Sequence, residues 1–371
     1  MISEREICFE VVLVSHYNPI VMKFFKKISS IILFIFIIIG LNQIISAQQT
    51  VRFTLNDFPI NKELIGEKVN LKKPLKNPHE LLLIDSLLIV RNINCSPAFD
   101  IFNLNTGELK SQFCLRGRGP GELIAPFSFQ FIEETNEIMV QDIQGKKLVF
   151  FDLDSILLNA PKKFTKTISL DKDVLVRKIK QVKGGDFFCD LIGHKDSYMN
   201  CLLNKEGDLI RLLEKYPKTN IPYNPLLGSN LFGVNIGVSQ GNKVIILPYI
   251  YSDKIDIYDY KGNFITEFVG PNYKNLDITQ GVNGATITSR NKLAFNIPQA
   301  NCDLFLVPYS GTKYRYSSTS ANHILSFDFT GKLLQRFIVS PSVTEIAIDW
   351  EKKIIYSVNK ELEPTLYKYK F

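Results

Sequence analysis

The sequence predicts an all-β protein that folds as a six-bladed β-propeller of four-stranded antiparallel blades, closed by an N-terminal strand. Short strand–turn–strand units recur along the chain. Beyond residue 47, six units would average about 54 residues, which suits four-stranded blades with their loops. No long amphipathic helical stretch appears in this part of the sequence. The composition is that of a globular protein, because 45% of residues are hydrophobic and 22% are charged.

The segment 22–47 has the three parts of a secretory signal. Lysines open it, an uninterrupted apolar run follows at 31–39, and Ala47 offers a cleavage position. The run is shorter than the roughly 20 residues that cross a bilayer. An uncleaved anchor is the alternative, since apolar residues resume at Ile44. We therefore expect export to the periplasm or cell surface, with membrane contact only through this signal.

The signal divides the chain into three parts. Residues 1–21 carry acidic charges ahead of the signal, so we interpret them as an extension in front of the true start at Met22. Residues 48–371 are expected to form a single propeller domain. No cysteine follows the apolar run directly, so a lipid-anchored N-terminus is not expected.

The repeated unit is a β-hairpin. Apolar residues at every second position give each strand one buried face. The turns contain Gly or Asp, which suit the positive φ of tight hairpins. One hairpin cannot bury its face alone, so the copies must stack. The copies lie at 99–113, 146–158, 199–213, 254–269 and 323–339, with a final half-copy at 365–371.

Two further strand candidates precede each hairpin, as at 81–86 and 87–92. They complete four strands per unit. The last unit ends at Phe371 without an outer strand. We expect the orphan strand at 51–58 to supply it and close the ring, which protects edges that would otherwise pair with other chains.

The turn between the first two units reads GRGPGE at 117–122. It resembles the G-x-G-P-G-E turn of a large group of exported bacterial six-bladed propellers, related to the NHL and TolB-like propellers. The resemblance covers about residues 50–371. It implies the fold and an envelope location, and most members look like binding or scaffold proteins. Many members carry a lipidation cysteine, and this chain departs from that pattern.

The links between blades and the loops between second and third strands share the face that propellers use for ligands. Arg118 and Glu122 would lie on this face, in a turn whose backbone N–H groups suit an anion. The alternative is a blade-to-blade staple in which Arg118 pairs with Glu122. His194 lies in a corresponding loop of the third unit.

Tyrosines are expected on the same face in the fourth and fifth units. The fifth unit has an insertion at 308–322 that is rich in Ser and Thr. Exposed tyrosines beside hydroxyls suit a carbohydrate, a peptide or an envelope protein as partner. The alternative is a solvated loop. The candidate ligand-binding residues here are Tyr249, Tyr251, Tyr314, Arg315 and Tyr316.

No catalytic or metal motif stands out. Among the histidines after residue 47, only His194 looks loop-borne, which disfavours a His-rich metal site. Asp190 and Asp196 are weak calcium candidates without a loop signature, so no cofactor is expected unless calcium binds there. We therefore expect a non-catalytic binding or scaffold protein. The alternative is an exported lyase or lactonase acting on a sugar or peptide derivative, favoured if three or more acidic or His side chains meet at the channel mouth.

Cysteines and charge complete the sequence-based expectations. Cys95 with Cys114, and Cys189 with Cys201, are close enough in sequence to lie on neighbouring strands and form disulfides in an exported protein. Buried free thiols are the alternative. The net charge of +7 is spread along the chain without a Lys/Arg run, so no nucleic-acid partner is expected.

Overall fold

The computed structural model describes residues 49–371 apart from 120, 161–163, 183, 220, 275, 282–283, 315–319 and 361–362. The predicted extension 1–21 and the signal 22–47 lie outside these residues. Residues 48–371 form one compact unit. Within the described residues, no helix is long and apolar enough to cross a membrane.

The described residues form six four-stranded blades, which confirms the predicted fold class. The N-terminal segment contributes β1 (Gln49–Arg52), β2 (Ile60–Ile65) and β3 (Glu67–Lys68). Blade 1 contains β4 (Pro78–Ile84), β5 (Leu87–Asn92), β6 (Phe99–Asn103) and β7 (Glu108–Phe113). Blade 2 contains β8 (Pro126–Ile132), β9 (Glu137–Asp142), β10 (Lys147–Asp152) and β11 (Phe164–Ser169).

The remaining blades repeat this order. Blade 3 contains β12 (Val176–Gln181), β13 (Phe187–Leu191), β14 (Asn200–Leu203) and β15 (Leu209–Leu212). Blade 4 contains β16 (Gly237–Ser239), β17 (Val244–Pro248), β18 (Lys254–Asp259) and β19 (Phe264–Val269). A small hairpin follows, made of β20 (Ile278–Gly281) and β21 (Gly284–Ile287).

Blade 5 has an inner strand in two pieces. It contains β22 (Lys292–Phe295), β23 (Gln299–Ala300), β24 (Leu304–Lys313), β25 (Ala321–Asp328) and β26 (Leu333–Val343). Blade 6 contains β27 (Ile346–Asp349), β28 (Ile354–Asn359), β29 (Thr365–Lys370) and β3. In each blade the first strand is innermost, and neighbouring blades pack their apolar faces together, as Ile89 and Phe99 of blade 1 do with Phe129 and Ile138 of blade 2.

Closure by the N-terminal segment is confirmed, but a different part of the segment performs it. β3 pairs antiparallel with β29 of blade 6, whereas β1 runs parallel to β19 of blade 4 and β2 parallel to β26 of blade 5. The expected strand at 51–58 is therefore wrong in position. Phe53 and Phe58 explain the difference, because each lies 5.5 Å from the ring of Phe327 and anchors this part of the chain on blade 5. We call residues 49–68 the N-terminal strap.

Two short α-helices lie between strands of the described residues, α1 (Leu153–Leu157) and α2 (Pro225–Leu231), and a 3-10 turn at Glu133–Thr135 separates β8 from β9. The prediction that 146–158 forms a hairpin is wrong in its second half, which is α1. The Asp152 side chain accepts a hydrogen bond from the Ser155 backbone N–H at 2.7 Å and caps the helix. The outer strand of blade 2 is therefore β11.

Candidate ligand site at the channel mouth

The inner strands surround a central channel, and a cavity of about 270 Å³ lies at one end of it. The cavity opens on the face that carries the links between blades. Every blade contributes to its wall. We call it the channel-mouth cavity, lined by His79, Glu80, Arg91, Phe127, Ser128, Arg177, Lys178, Lys180, Asn235, Ile236, Ile250, Asn296, Ile297 and Glu345.

Positive charge predominates in this wall. Four of the lining side chains are cationic and two are carboxylic acids. Cationic walls around a partly enclosed space concentrate anions, because field lines are focused there. The cations are Arg91, Arg177, Lys178 and Lys180, and the acids are Glu80 and Glu345.

Glu80 is held between two of the cations. Its Oε2 lies 3.5 Å from Arg91 Nε, and its Oε1 lies 3.3 Å from Lys180 Nζ. Lys180 Nζ also donates to the Phe129 carbonyl at 2.6 Å. Glu80 and Lys180 line a second cavity of about 530 Å³ toward the opposite end of the channel as well. This ion pair therefore lies between the two cavities.

His79 is a neutral acceptor for Arg91. Burial and the nearby Arg91 guanidinium lower the pKa of His79 to about 3. Its Nδ1 lies 2.7 Å from Arg91 Nη2, so the neutral ring accepts that hydrogen bond. Three acidic or His side chains, at positions 79, 80 and 345, thus line the channel mouth, but two of them hold Arg91. Among the described residues, no group of three or more His, Cys, Asp or Glu side chains is arranged to hold a metal ion.

Arg177 is oriented by an ion pair and a hydrogen bond. Its Nε lies 2.7 Å from Asp190 Oδ2, and its Nη1 donates to the Ser229 carbonyl at 2.7 Å. Burial disfavours its charge, but the ion pair with Asp190 outweighs this and raises the pKa of Arg177. Its Nη2 is buried without a hydrogen-bond partner among the residues that the structure describes. A fixed guanidinium with an unused N–H group is a good receptor for an oxygen anion.

Lys178 and Glu345 both change charge near neutral pH. Burial and Arg177 lower the pKa of Lys178 to about 8, and its Nζ donates to the Val234 carbonyl at 2.9 Å and to Asn235 Oδ1 at 2.5 Å. Burial raises the pKa of Glu345 to about 8. Within the described part of the chain, Glu345 Oε2 is buried and has no hydrogen-bond partner. Below pH 8 the lysine is therefore mainly charged and the acid mainly neutral, which increases the excess of positive charge.

The GRGPGE turn is a structural link in the part of the chain that the structure describes. Glu122 Oε2 accepts a hydrogen bond from the Gly119 N–H at 2.9 Å. Arg118 is exposed and forms no ion pair with Glu122 among the described residues. Neither residue lines the channel-mouth cavity. Asp142 fixes the end of the link by accepting from the backbone N–H groups of Ile124 and Ala125 at 3.0 and 2.9 Å.

The predicted tyrosines lie in different environments in the structure. Tyr249 departs from the ligand-site expectation, because it is buried in the core and its hydroxyl lies 3.0 Å from Asp256 Oδ2. Tyr251 and Tyr314 meet edge to face with ring centroids 5.3 Å apart. Arg315 and Tyr316 lie outside the described residues. Tyr251 belongs to a separate pocket of about 300 Å³, which we call the rim pocket, lined by Tyr251, Ser252, Asp253, Pro271, Asn272, Tyr273, Lys274, Arg290, Asn291 and Lys292.

The predicted calcium residues do not form a site. Asp190 is buried against Arg177, whereas Asp196 is exposed. The Asp196 backbone N–H donates to Nδ1 of His194 at 3.3 Å. The buried ring of His194 packs on Tyr198 with centroids 5.5 Å apart. His194 therefore orders its own loop and does not line the channel-mouth cavity.

The four cysteines proposed for disulfides are free thiols in the structure. Cys189 and Cys201 lie directly opposite each other on β13 and β14, as their spacing predicted. Burial raises the pKa of the Cys189 thiol well above its usual value. Cys95 and Cys114 are also unbonded. Cys114, Cys189 and Cys201 are buried as small apolar side chains, whereas Cys95 is half-buried, and disulfide formation stays a prediction.

None of the predicted site residues that the structure describes lines the channel-mouth cavity, although the sequence contains a signal for its cationic wall. In a propeller the first strand of each unit lines the channel, so charged residues in that strand face it. Arg177, Lys178 and Lys180 interrupt the apolar pattern of β12 in this way, as Glu80 does in β4. They were missed because the predicted site residues came from loops, whereas these residues lie in strands.

Comparisons with known proteins agree with the architecture. A model of TolB-like six-blade propeller-like proteins matches residues 56–351. The chain is similar to an exported protein of Bacteroides fragilis, with 13% identity and a TM-score of 0.56 over 86% of this chain and 99% of that one. It is also similar to a DUF4221 family member from Bacteroides vulgatus, with 9% identity and a TM-score of 0.50 over 83% and 96% of the two chains. At these identities the likeness shows the fold alone. No curated protein matches the chain in sequence.

Proposed function

Because this chain belongs to the TolB-like six-bladed propeller family, whose fold hosts unrelated activities, we propose a function from its channel-mouth cavity: it is an exported binding protein for a small organic anion. The expected ligands are an acidic sugar or the carboxylate end of a peptide. The signal pattern at 22–47 and the likeness to an exported Bacteroides protein support a place in the periplasm or at the cell surface.

The unused hydrogen-bonding capacity of Arg177 carries this proposal. An unsatisfied buried polar group costs about 1–3 kcal/mol. A ligand carboxylate that accepts from Arg177 Nη2 removes this cost and gains a charge-assisted hydrogen bond. Lys178 lies next in the same strand and supplies a second positive charge. The cavity volume of about 270 Å³ suits a ligand of monosaccharide size.

Isothermal titration calorimetry with D-galacturonate and D-galactose tests the proposal, because the two sugars differ in their acid group. We expect galacturonate to bind and galactose not to bind. Lys178→Met should weaken galacturonate binding about tenfold or more, since a charge-assisted contact is worth about 1.5–3 kcal/mol. Lys62→Met removes the same charge from the exposed strand β2 and should change nothing.

Two results would contradict binding at the channel mouth. One is equal affinity for the acidic and the neutral sugar. The other is a Lys178→Met variant that melts at the wild-type temperature and binds galacturonate with unchanged affinity. The melting temperature is measured for each variant, so that lost binding is not confused with lost folding.

A second candidate function, an acid-sugar lyase, is favoured by one observation. Lys178 and Glu345 line the same cavity, and the pKa of each lies at about 8. Groups that exchange protons near neutral pH are suited to general acid–base catalysis. A lyase would form a carbon–carbon double bond in oligogalacturonate, which ultraviolet absorbance detects. Loss of this product in Lys178→Met would favour the enzyme, and bound but unchanged ligand would favour the binding protein.

A further inference from the structure

The rim pocket lies directly beside the channel-mouth cavity. Ile250 lines the cavity and the next residue, Tyr251, lines the pocket. A Cβ atom placed on Gly233 would lie within 3.3 Å of Arg177 Nη1, Arg177 Nη2 and Ile250 Cδ1, so the guanidinium and Ile250 both border Gly233. Its positive charge also acts on the Tyr251 hydroxyl. A ligand held by Arg177 therefore has Tyr251 as its next neighbour toward the rim.

The rim pocket has its own excess of positive charge. Lys274, Arg290 and Lys292 line it, and Asp253 is its one acid among the described lining residues. Asp253 Oδ2 already accepts from the Tyr309 hydroxyl and the Asn272 N–H, both at 2.9 Å. Arg290 binds Asp277 through Nε and Nη2. The pocket is thus a second place for an acid group.

Aromatic side chains lie in the same pocket. The Tyr251 ring is half-buried and supported by Tyr314, whereas Tyr273 is 43% exposed. A tyrosine offers an apolar face together with a hydroxyl, which suits a sugar ring with its C–H face and hydroxyl groups. Cations beside such rings suit a sugar that also carries an acid.

Hydrogen bonds hold the walls of the pocket together. Asn291 is buried, its side chain donates to the Thr288 carbonyl at 3.0 Å, and its Oδ1 accepts from the Asp277 N–H at 2.8 Å. Lys292 Nζ donates to Asn272 Oδ1 at 2.7 Å. The bonds of Asn291 to Asp277 and of Lys292 to Asn272 join two of the three segments that wall the pocket. A preorganised pocket binds more tightly, because less conformational entropy is lost.

These features extend the proposed function, on which the following inference rests. We infer that the ligand is an acidic oligosaccharide that spans both sites. One acid group lies at Arg177 in the channel-mouth cavity, and the next ring lies on Tyr251 and Tyr273 with its acid group toward Arg290 and Lys292. The rim pocket is walled mainly by loop side chains, which favours a sugar over a peptide that would extend a strand edge.

Titrations with three probes test this inference: D-galacturonate, α-1,4-linked tetragalacturonate and tetraglutamate. We expect the tetrasaccharide to bind at least about tenfold more tightly than the monosaccharide, and more tightly than the peptide of similar charge. Tyr273→Ala should lower the affinity for the tetrasaccharide about tenfold and leave the affinity for galacturonate unchanged. Leu158→Ala truncates an 81% exposed apolar side chain in the loop between β10 and β11 and should change neither affinity.

The outcomes separate the inference from the function on which it rests. Galacturonate binding that gains nothing from the longer chain, or a Tyr273→Ala variant with wild-type affinity for the tetrasaccharide, overturns the inference alone. Tetraglutamate binding as tightly as tetragalacturonate overturns the choice of a sugar. Failure of both sugars to bind overturns the proposed function and the inference together.

Discussion

Two half-buried lysines, Lys178 and Lys254, differ in how neighbouring groups compensate their charge. Lys254 lies 3.0 Å from Asp256 and 3.3 Å from Glu267, so carboxylates neutralise its charge within the blade. Lys178 is held by a carbonyl and an amide oxygen, which orient its ammonium group, and no ion pair to it is seen among the described residues. A buried charge without a counter-ion is costly, and a bound anion relieves that cost. Lys178 is therefore suited to ligand binding.

The affinity for galacturonate should depend on pH. The pKa of Lys178 is lowered to about 8, so its charge is lost as the pH rises through that value. The pKa of Glu345 is raised to about 8, so a negative charge appears in the same range. Both changes weaken anion binding between pH 7 and 9, and calorimetry across this range measures it. Lys178→Met should bind weakly with a shallower dependence, whereas a wild-type affinity that is constant from pH 6 to 9.5 would contradict these roles.

Glu345 should also make the stability of the protein depend on pH. Its pKa rises from 4.5 to about 8 on folding, so between these values the folded state holds a proton that the unfolded state releases. The stabilisation of the folded state by this proton is complete below pH 4.5. It is lost as the pH rises to 8, by at most about 1.4 kcal/mol per pH unit. Urea unfolding of wild type and Glu345→Gln at pH 5, 6.5 and 8 measures it. Equal pH dependence in both proteins would show that Glu345 ionises normally.

At the scale of elements, the links between blades are fixed by side chains at the ends of the second strands. Asp142 ends β9 and accepts from Ile124, Ala125 and Gly145 at 2.9–3.1 Å. Asn92 ends β5 and accepts from the Asn77 N–H at 3.2 Å in the same way. Each incoming link is thereby attached to the blade that it enters. The links can then vary in length without moving the inner strands that line the channel.

Asp142→Ala should lower the free energy of unfolding by about 2–4 kcal/mol, because three backbone N–H groups lose a charged acceptor. Arg118→Ala, in the exposed part of the same link, should change it by less than about 0.5 kcal/mol. Chemical denaturation of both variants measures the difference. Similar unfolding free energies for the two variants would mean that the link is not held by Asp142.

The N-terminal strap should contribute to the free energy of unfolding through the side chains that it buries. Leu64 on β2 is 3% exposed, whereas the adjacent Ile65 is 73% exposed. Leu64→Ala should therefore lower the unfolding free energy by about 2–5 kcal/mol. Ile65→Ala is the matched control and should have little effect. Equal effects of the two substitutions would show that β2 does not pack on blade 5 as described.

The strands could be predicted where a short stretch of sequence carried the whole pattern. Alternating apolar residues identified the hairpin of β6 and β7 and the inner strands β4 and β8. Helix α1 was missed because its residues continue an apolar pattern, and only the Asp152 cap distinguishes it. The position of closure was missed because it depends on Phe53 and Phe58 meeting Phe327, a contact between distant parts of the chain.

At the scale of the whole molecule, the candidate site is a property of the closed ring. All six blades contribute to the wall of the channel-mouth cavity, from His79 in blade 1 to Glu345 just before β27 of blade 6. Residues so far apart in sequence converge only when the strap joins the last blade to the first. This is why local motifs identified the fold and part of the rim pocket but not the cavity itself.

A crystal structure of the protein grown with D-galacturonate tests the central claim most directly, since that claim concerns where an organic anion binds. We predict that the carboxylate lies in the channel-mouth cavity, within hydrogen-bonding distance of Arg177 Nη2 and Lys178 Nζ. Galacturonate bound elsewhere on the propeller, with Arg177 and Lys178 out of contact with it, would contradict the claim.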